Sequence, residues 1–446
     1  MKGVVIMTTI DKTELRKKFF SFVIPSVSAM WVYLLYSMID GIFVAKGVGK
    51  YALAAVNLSM PLINVAFACG ILFAVGASTK ASIYRGRNMP EMANKVFTIG
   101  TITVIALGII VATVVRLNLD SVAIFLGAEE ETIDYVKSYL GIIILFVPIY
   151  MTSYNFEVLI KADGFPSKAI KTSAIGAVIN LILDYLFIMV FDFGISGAAI
   201  ATGISQVVTF TIFTSHFILK KGSFSFTKVS YNIKEVYSLA RLGFADFITE
   251  LTIGITIYVF NHAILTTAGP NGIVIYTVIS YVSQLILMTM TGTNQGAQPL
   301  MSFYYGQNKK AAYNYIFSLA VRFASVCAVI FFLITFIYPN PILELYVDKV
   351  LEPALFLEGI MAFRLYSFSF LPLGVSITMM GYFTSLEKPK NAMIISLSRG
   401  LIIINLALII MAKYFGETGV WLATPISEFI TLVIALFLYK RLTANN

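Results

Sequence analysis

The chain has 446 residues, of which 58% are hydrophobic and only 12% charged. A soluble domain carries nearer ~25% charged residues, so an ordinary soluble globule is excluded. The net charge of +9 does not call for nucleic acid, because basic loops facing anionic lipid account for it. Cys69 and Cys327 both fall in apolar runs with no partner spacing, so neither a disulfide nor a metal pair is expected.

Residues 1–18 are mixed and basic and lack a short apolar core followed by a small-residue cleavage site. They read as a retained cytoplasmic segment. Apolar runs then recur to the C-terminus, near 19–45, 52–79, 96–118, 134–160, 168–191 and 195–219 in the first half. They continue near 238–265, 271–301, 311–337, 353–384, 391–413 and 418–439 in the second. Each reaches the ~20 residues that a bilayer-crossing helix needs. The expected fold is an all-α membrane protein of about twelve transmembrane helices.

Alternate loops are basic. Lys12, Arg16, Lys17 and Lys18 precede the first run; Lys80, Arg85, Arg87 and Lys95 follow the second; Lys161, Lys168 and Lys171 follow the fourth. The series goes on through Lys220, Lys221, Lys228, Lys234 and Arg241, then Lys309 and Lys310, Lys388 and Lys390, and Lys440 and Arg441. The intervening loops hold the acidic cluster Glu129 to Glu131. The positive-inside rule then puts both termini in the cytoplasm and requires an even number of spans.

The longest polar connector, around 220–237, joins two halves, an N-terminal lobe over 19–219 and a C-terminal lobe over 238–440, with a tail at 441–446. The halves share blocks in the same order. GASTKASIYRG from Gly76 matches GAQPLMSFYYG from Gly296, and GISGAAIATGIS from Gly194 matches GETGVWLATPIS from Gly416. Pro166 and Pro389 open equivalent spans. A parallel repeat implies two pseudo-symmetric six-helix lobes about an axis along the membrane normal, with a site between them.

Four polar residues stand where a bilayer tolerates them least. Asp40 ends the run from Phe19 to Met38, Asn180 and Asp184 interrupt the run from Ala169 to Val190, and Thr202 lies between Ile195 and Phe217. An ionisable group at that depth costs at least ~2.5–3.5 kcal/mol. Asn180 and Asp184 are four apart and share a helix face. Their oxygens suit a hard cation such as Na⁺, and the carboxylates suit a proton. The alternative for Asp184 is a side chain satisfied by backbone or by Asn180, and for Thr202 a bond to its own helix. Asp246 and Glu250 form a second pair four apart, and Glu428 stands on the last span. Tyr36, Tyr281, Met288 and Gln298 complete the candidates for a substrate cavity, since flexible Met and aromatic faces suit varied hydrophobic cations. His216 and His262 sit near span ends and read as interfacial.

Pro25 with MIDGIFVAKGVG, KADGFPSKA, NLILDYLFI, GISGAAIATGISQ, GAQPLMSFYYG and GVWLATPISE, in this order, resembles the multidrug and toxic compound extrusion (MATE) family, over residues 15 to 440. GFADFITELTIGITIYVFN and ATPISE resemble its Gram-positive bacterial multidrug exporters. The family's Gly-x-Pro on the seventh span is Gly243-Phe244-Ala245 here, which removes a proline hinge from that helix. The resemblance implies an antiporter in the cell membrane that exports organic cations in exchange for H⁺ or Na⁺, with no further cofactor and no obligate protein partner. It implies a cation site at Asp40, Asn180, Asp184 and Thr202.

No phosphate-binding glycine-lysine loop and no nucleophile-base constellation is present, so an enzyme is not expected. A flippase for a lipid-linked saccharide is the runner-up, but it wants basic residues in its cavity. Only Arg322, Arg364 and Arg399 stand mid-span, whereas most buried charges are acidic. A scaffold or receptor leaves the acidic cluster unexplained.

Overall fold

The computed structural model describes residues 11–344 and 349–444. Residues 1–10 of the expected N-terminal segment and 445–446 of the expected tail lie outside the described residues. The first half forms α1 (Lys12–Gly47), α2 (Lys50–Gly86), α3 (Pro90–Leu117), α4 (Ile133–Ala162), α5 (Pro166–Asp184) and α6 (Gly194–Ile218). The second forms α7 (Ile233–Thr267), α8 (Gly269–Gly306), α9 (Lys310–Ile337) and α10, built from the consecutive pieces Pro353–Ser367 and Phe370–Ser385. α11 runs from Pro389–Leu397 into the helix Ile403–Ala444, which breaks at Gly416 (φ 57°, ψ −135°); the remainder is α12. Eleven helical stretches among the described residues are long and apolar enough to cross a membrane, and the break at Gly416 divides the last of them in two.

Local sequence sets these limits. Asp11 caps α1 by accepting from the Thr13 and Glu14 amides at 2.8 and 3.2 Å. Proline opens α3, α5, α8, α10 and α11, where its missing N–H costs nothing. Asn88 and Asn308, at φ 56° and 58°, make the equivalent tight turns after α2 and α8.

Each half packs by one scheme: α2 lies on α3 and α4, and α4 on α6, as α8 lies on α9 and α10, and α10 on α12. Between the halves, α1 packs on α8 and α7 on α2, the exchange expected of a two-fold axis. The N-terminal end of α1 is sunk in the opposite half. Phe19, Phe22 and Val23 share a core with Leu300, Met301 and Phe383. Reciprocally, Val236 and Leu239 of α7 join Phe97 and Phe156 of the first half.

The repeated glycines make this contact. A Cβ on Gly296 would stand 2.7 Å from Val23 Cα, and one on Gly76 would stand 2.7 Å from Leu239 C. Gly86 and Gly306 meet each other across the axis: a Cβ on Gly86 would lie 3.1 Å from Gly306 Cα. Only glycine permits backbones so close. These contacts all fall in the halves of α1, α2, α7 and α8 that lead to the basic loops. Lys80 Nζ donates to Glu235 Oε2 at 2.8 Å and Arg87 pairs with Glu387 at 3.4 Å at the same end. The two halves are therefore closed against each other at the basic-loop end.

Candidate functional site

α1 carries Asp40 toward α5, where Asn180 and Asp184 project from one face one turn apart. The Asp40 and Asp184 carboxyl groups are neighbours, within hydrogen-bonding reach of each other. Asn180 and Asp184 are 2% and 1% exposed. Apart from that contact with each other, Asp40 Oδ1 and both Asp184 oxygens are buried without a hydrogen-bond partner, although buried polar atoms in native proteins are almost always paired. Satisfaction of Asp184 by backbone or by Asn180, the alternative open from sequence, is not what the geometry gives. Asn180 Nδ2 instead donates to Thr202 Oγ1 at 3.4 Å, which brings α6 to the same place.

Directly after Asp184, α5 widens into π turns over Tyr185–Val190. Such turns recur at functional positions. α11 also contains a π turn, at Ser398–Ile402, about ten residues earlier in the repeat. Tyr36 and Tyr139 stand within electrostatic range of both aspartates. Tyr139 is a member of this cluster that sequence reasoning missed.

A cavity lies between the halves. Tyr36, Asn180, Asp246, Glu250, Met288 and Gln298 line it, so five of the seven expected substrate-cavity residues, and one of the cation cluster, share it. Its first-half wall is aromatic. Phe67 stacks on Tyr150 with centroids 5.2 Å apart and meets Tyr154 edge-on at 4.7 Å. Its second-half wall carries the acids of α7, and Asp246 Oδ2 is a further buried oxygen with no partner. Glu157 of α4, also missed from sequence, adds a third carboxyl group; no Lys or Arg is among the lining residues.

Two candidates stand elsewhere. Glu428 lines a second cavity inside the C-terminal half, where Arg399 Nε donates to its Oε1 at 2.7 Å. Tyr281 lines neither cavity and is 46% exposed. His216, expected at an interface, is instead buried. Its Nε2 lies 2.9 Å from Asp163 Oδ2, and Lys168 Nζ lies 3.2 Å from its Nδ1. With the lysine donating to Nδ1, the ring proton sits on Nε2 and is donated to Asp163. Among the described residues, no three His, Cys, Asp or Glu side chains stand close enough together to hold a metal ion.

Residues 25–186 and 244–411 match the MatE family. The chain is 24% identical to the multidrug export protein MepA of Staphylococcus haemolyticus, over 98% of this chain and 96% of that one. It is 25% identical to MepA of Staphylococcus aureus (strain MRSA252), over 98% and 97%. Its fold matches the outward-facing conformation of a multidrug resistance MATE family transporter of the MOP superfamily, with a TM-score of 0.89, 22% identity and 98% of each chain covered. A MOP superfamily transporter from Pyrococcus furiosus, described as having a binding pocket of reverse polarity, matches equally, at 0.89 and 22% over 98% of each chain.

Proposed function

Because the chain belongs to the MatE family, we propose that it is a cation-coupled antiporter. In this reading it exports organic, mostly cationic compounds across the cytoplasmic membrane, with its basic loops and both termini inside. It carries out no chemistry on its cargo. The observation that carries the reading is the group of orphaned buried oxygens on Asp40 and Asp184. Two facing carboxylates out of water repel each other and call for a proton or a small cation between them. H⁺ or Na⁺ would bind there as co-substrate, with Asn180 and Thr202 completing an oxygen set for Na⁺.

The cargo side is supported by the sign and texture of the central cavity, acidic on one wall and aromatic on the other. That combination suits a flat organic cation. It is the opposite of what a flippase for pyrophosphate-linked sugars needs, since no Lys or Arg is among the lining residues. Asn180 belongs to both the cation cluster and the cavity wall. An ion arriving at Asp184, one turn away, therefore changes the wall on which the cargo rests. Coupling requires that ion and cargo prefer opposite states of the two halves, since a ligand without such a preference shifts nothing.

The test is proteoliposome transport of ethidium under separately imposed H⁺ and Na⁺ gradients. Gradient-driven uptake with one of the two identifies the co-substrate. No transport with either, by protein that is inserted and folded, overturns the antiporter reading.

A further inference from the structure

At the floor of the central cavity, an ammonium group of the protein itself occupies a carboxylate. Glu157 of α4 lines the cavity. One turn toward the basic loops, Lys161 donates from Nζ to Glu157 Oε1 at 2.7 Å. Lys161 is 1% exposed and among the largest fully buried side chains of the protein. Its second partner comes from the other half: Nζ also donates to Gln295 Oε1 on α8 at 3.0 Å. Gln295 is held in turn by donating from Nε2 to Tyr154 Oη at 3.1 Å. Ser173 Oγ stands 3.5 Å from Glu157 Oε2, which leaves that oxygen only a weak contact.

We propose that Glu157 is a binding residue for the cationic group of the cargo, and that Lys161 is a tethered competitor for it. This inference rests on the reading of the central cavity as an organic-cation site.

Three observations carry it. First, Glu157 faces the same space as Asp246 and Glu250 and stands five residues from the basic-loop end of α4, while they stand 13 and 17 from that of α7, so cargo from that side would meet it first. Second, the lysine is out of water, and among the described residues only this carboxylate pairs with it. A lysine whose role was to hold α4 together would gain more at an exposed site, since desolvation offsets most of a buried pair's attraction. Third, the lysine's remaining bond depends on the halves being closed at this end. Gln295 sits on α8 beside Gly296, whose backbone contact with Val23 defines that closure.

When the halves separate at the basic-loop end, Gln295 leaves and Lys161 loses one of its two partners. The lysine can then swing to water, and Glu157 is free to take an organic ammonium. Closure returns Gln295 to Lys161 and restores the lysine to Glu157, which displaces the cargo toward the opposite opening. The competition is between two cations for one carboxylate, so no net charge need cross at this step. A neutral cargo should not feel it.

The experiment measures ethidium binding by fluorescence anisotropy on the full-length protein in lipid nanodiscs, alongside ethidium efflux from proteoliposomes. If Lys161 holds Glu157 for four-fifths of the time, Lys161→Met should tighten ethidium binding about five-fold, by removing the occupied fraction, and should slow efflux. Lys161→Arg keeps a competing cation and should stay near wild type. Glu157→Gln should weaken ethidium binding, and the double variant Glu157→Gln/Lys161→Met should bind as weakly as Glu157→Gln alone. The double variant carries no unpaired charge, so it guards against Lys161→Met failing to fold. Unchanged or weaker binding in folded Lys161→Met, or a double variant that binds ethidium like wild type, overturns the inference. If wild type itself transports no ethidium, the antiporter reading has failed instead; if wild type transports and only the variants misbehave as stated, this inference alone has failed.

Discussion

A single carboxylate, Asp184, has the sharpest consequence. It is 1% exposed, and outside its contact with the half-buried Asp40 neither oxygen has a hydrogen-bond partner. Asp184→Asn keeps the shape and removes a charge that has no compensating bond, so the folded protein should lose no stability. We expect gradient-driven ethidium efflux to vanish while expression and thermal midpoint hold. Full efflux by well-expressed protein would leave Asp184 as a mere polar contact. Asp40→Asn should act in the same way, and the double variant should be no worse than either single one, since two residues that share one ion form one unit. Much of this cluster was legible in the sequence, because a charge interrupting an apolar run is visible without coordinates. Tyr139 was not: it looks ordinary in its own helix and matters through neighbours on others. Glu157 carried the same signal, a charge inside the run 134–160, but its i,i+4 neighbour Lys161 at the run's end makes it read as the polar end of a helix. Tyr281 erred for a related reason. It is seven residues from Met288, hence on the same helix face, but at its level that face is 46% exposed rather than part of the cavity.

Among the elements, the helices and their order were readable from hydrophobic run length, loop charge and proline positions. What the repeat meant in space was not. Gly76 and Gly296 head matching motifs, but the sequence cannot say that each receives the backbone of the other half's first helix. Gly296→Leu would push a side chain into Val23. Overpacking of this kind costs ~1–3 kcal/mol, and it acts only on the closed state. Transport should fall on the order of ten-fold, as 1.4 kcal/mol implies, with the protein still monodisperse and inserted; undiminished transport would mean that the contact does not gate. The connector between the halves also differs from a loose joint. Ser223 and Phe224 amides donate to Asp163 Oδ1 at 2.7 and 3.3 Å, Ser225 to Asn94 Oδ1 at 2.9 Å, and Thr227 to Thr98 Oγ1 at 3.2 Å. It is sewn to the first half, and the freedom between the halves is left to the residues just before α7. Asp163→Ala strips three bonds, those to Ser223, Phe224 and His216; Phe224 and His216 are buried, and each donor orphaned there costs ~1–3 kcal/mol. A lower thermal midpoint and faster tryptic cleavage after Lys220, Lys221 and Lys228 are expected; an unchanged cleavage rate would show the strap to be held by other means.

At the scale of the whole molecule, the two halves meet near the basic loops through glycine contacts, the Lys80–Glu235 pair and the Arg87–Glu387 pair. The highest of these contacts is the bond from Trp31 Nε1 to Thr289 Oγ1 at 3.0 Å. Tyr36 of α1 and Asp246 and Glu250 of α7 line the cavity between the lobes. That is the pattern of two lobes hinged shut at one end. In the proposed antiport cycle the closed end must part, which breaks the Arg87–Glu387 pair early, because its side chains are 42% and 35% exposed. As a screened surface pair it contributes at most ~1 kcal/mol, so removing it alone should barely alter transport. Its position is more useful than its energy. With Cys69 and Cys327 replaced by alanine, Arg87→Cys and Glu387→Cys can be joined by a series of bismaleimides of graded length. Cross-linked protein should stop transporting, because chemistry at one end now forbids the motion that the cargo needs. It should still bind ethidium presented from the acidic-loop side, since that end is unaffected. Continued transport by fully cross-linked protein would mean that the halves do not separate at the basic loops, and that cargo passes by another route.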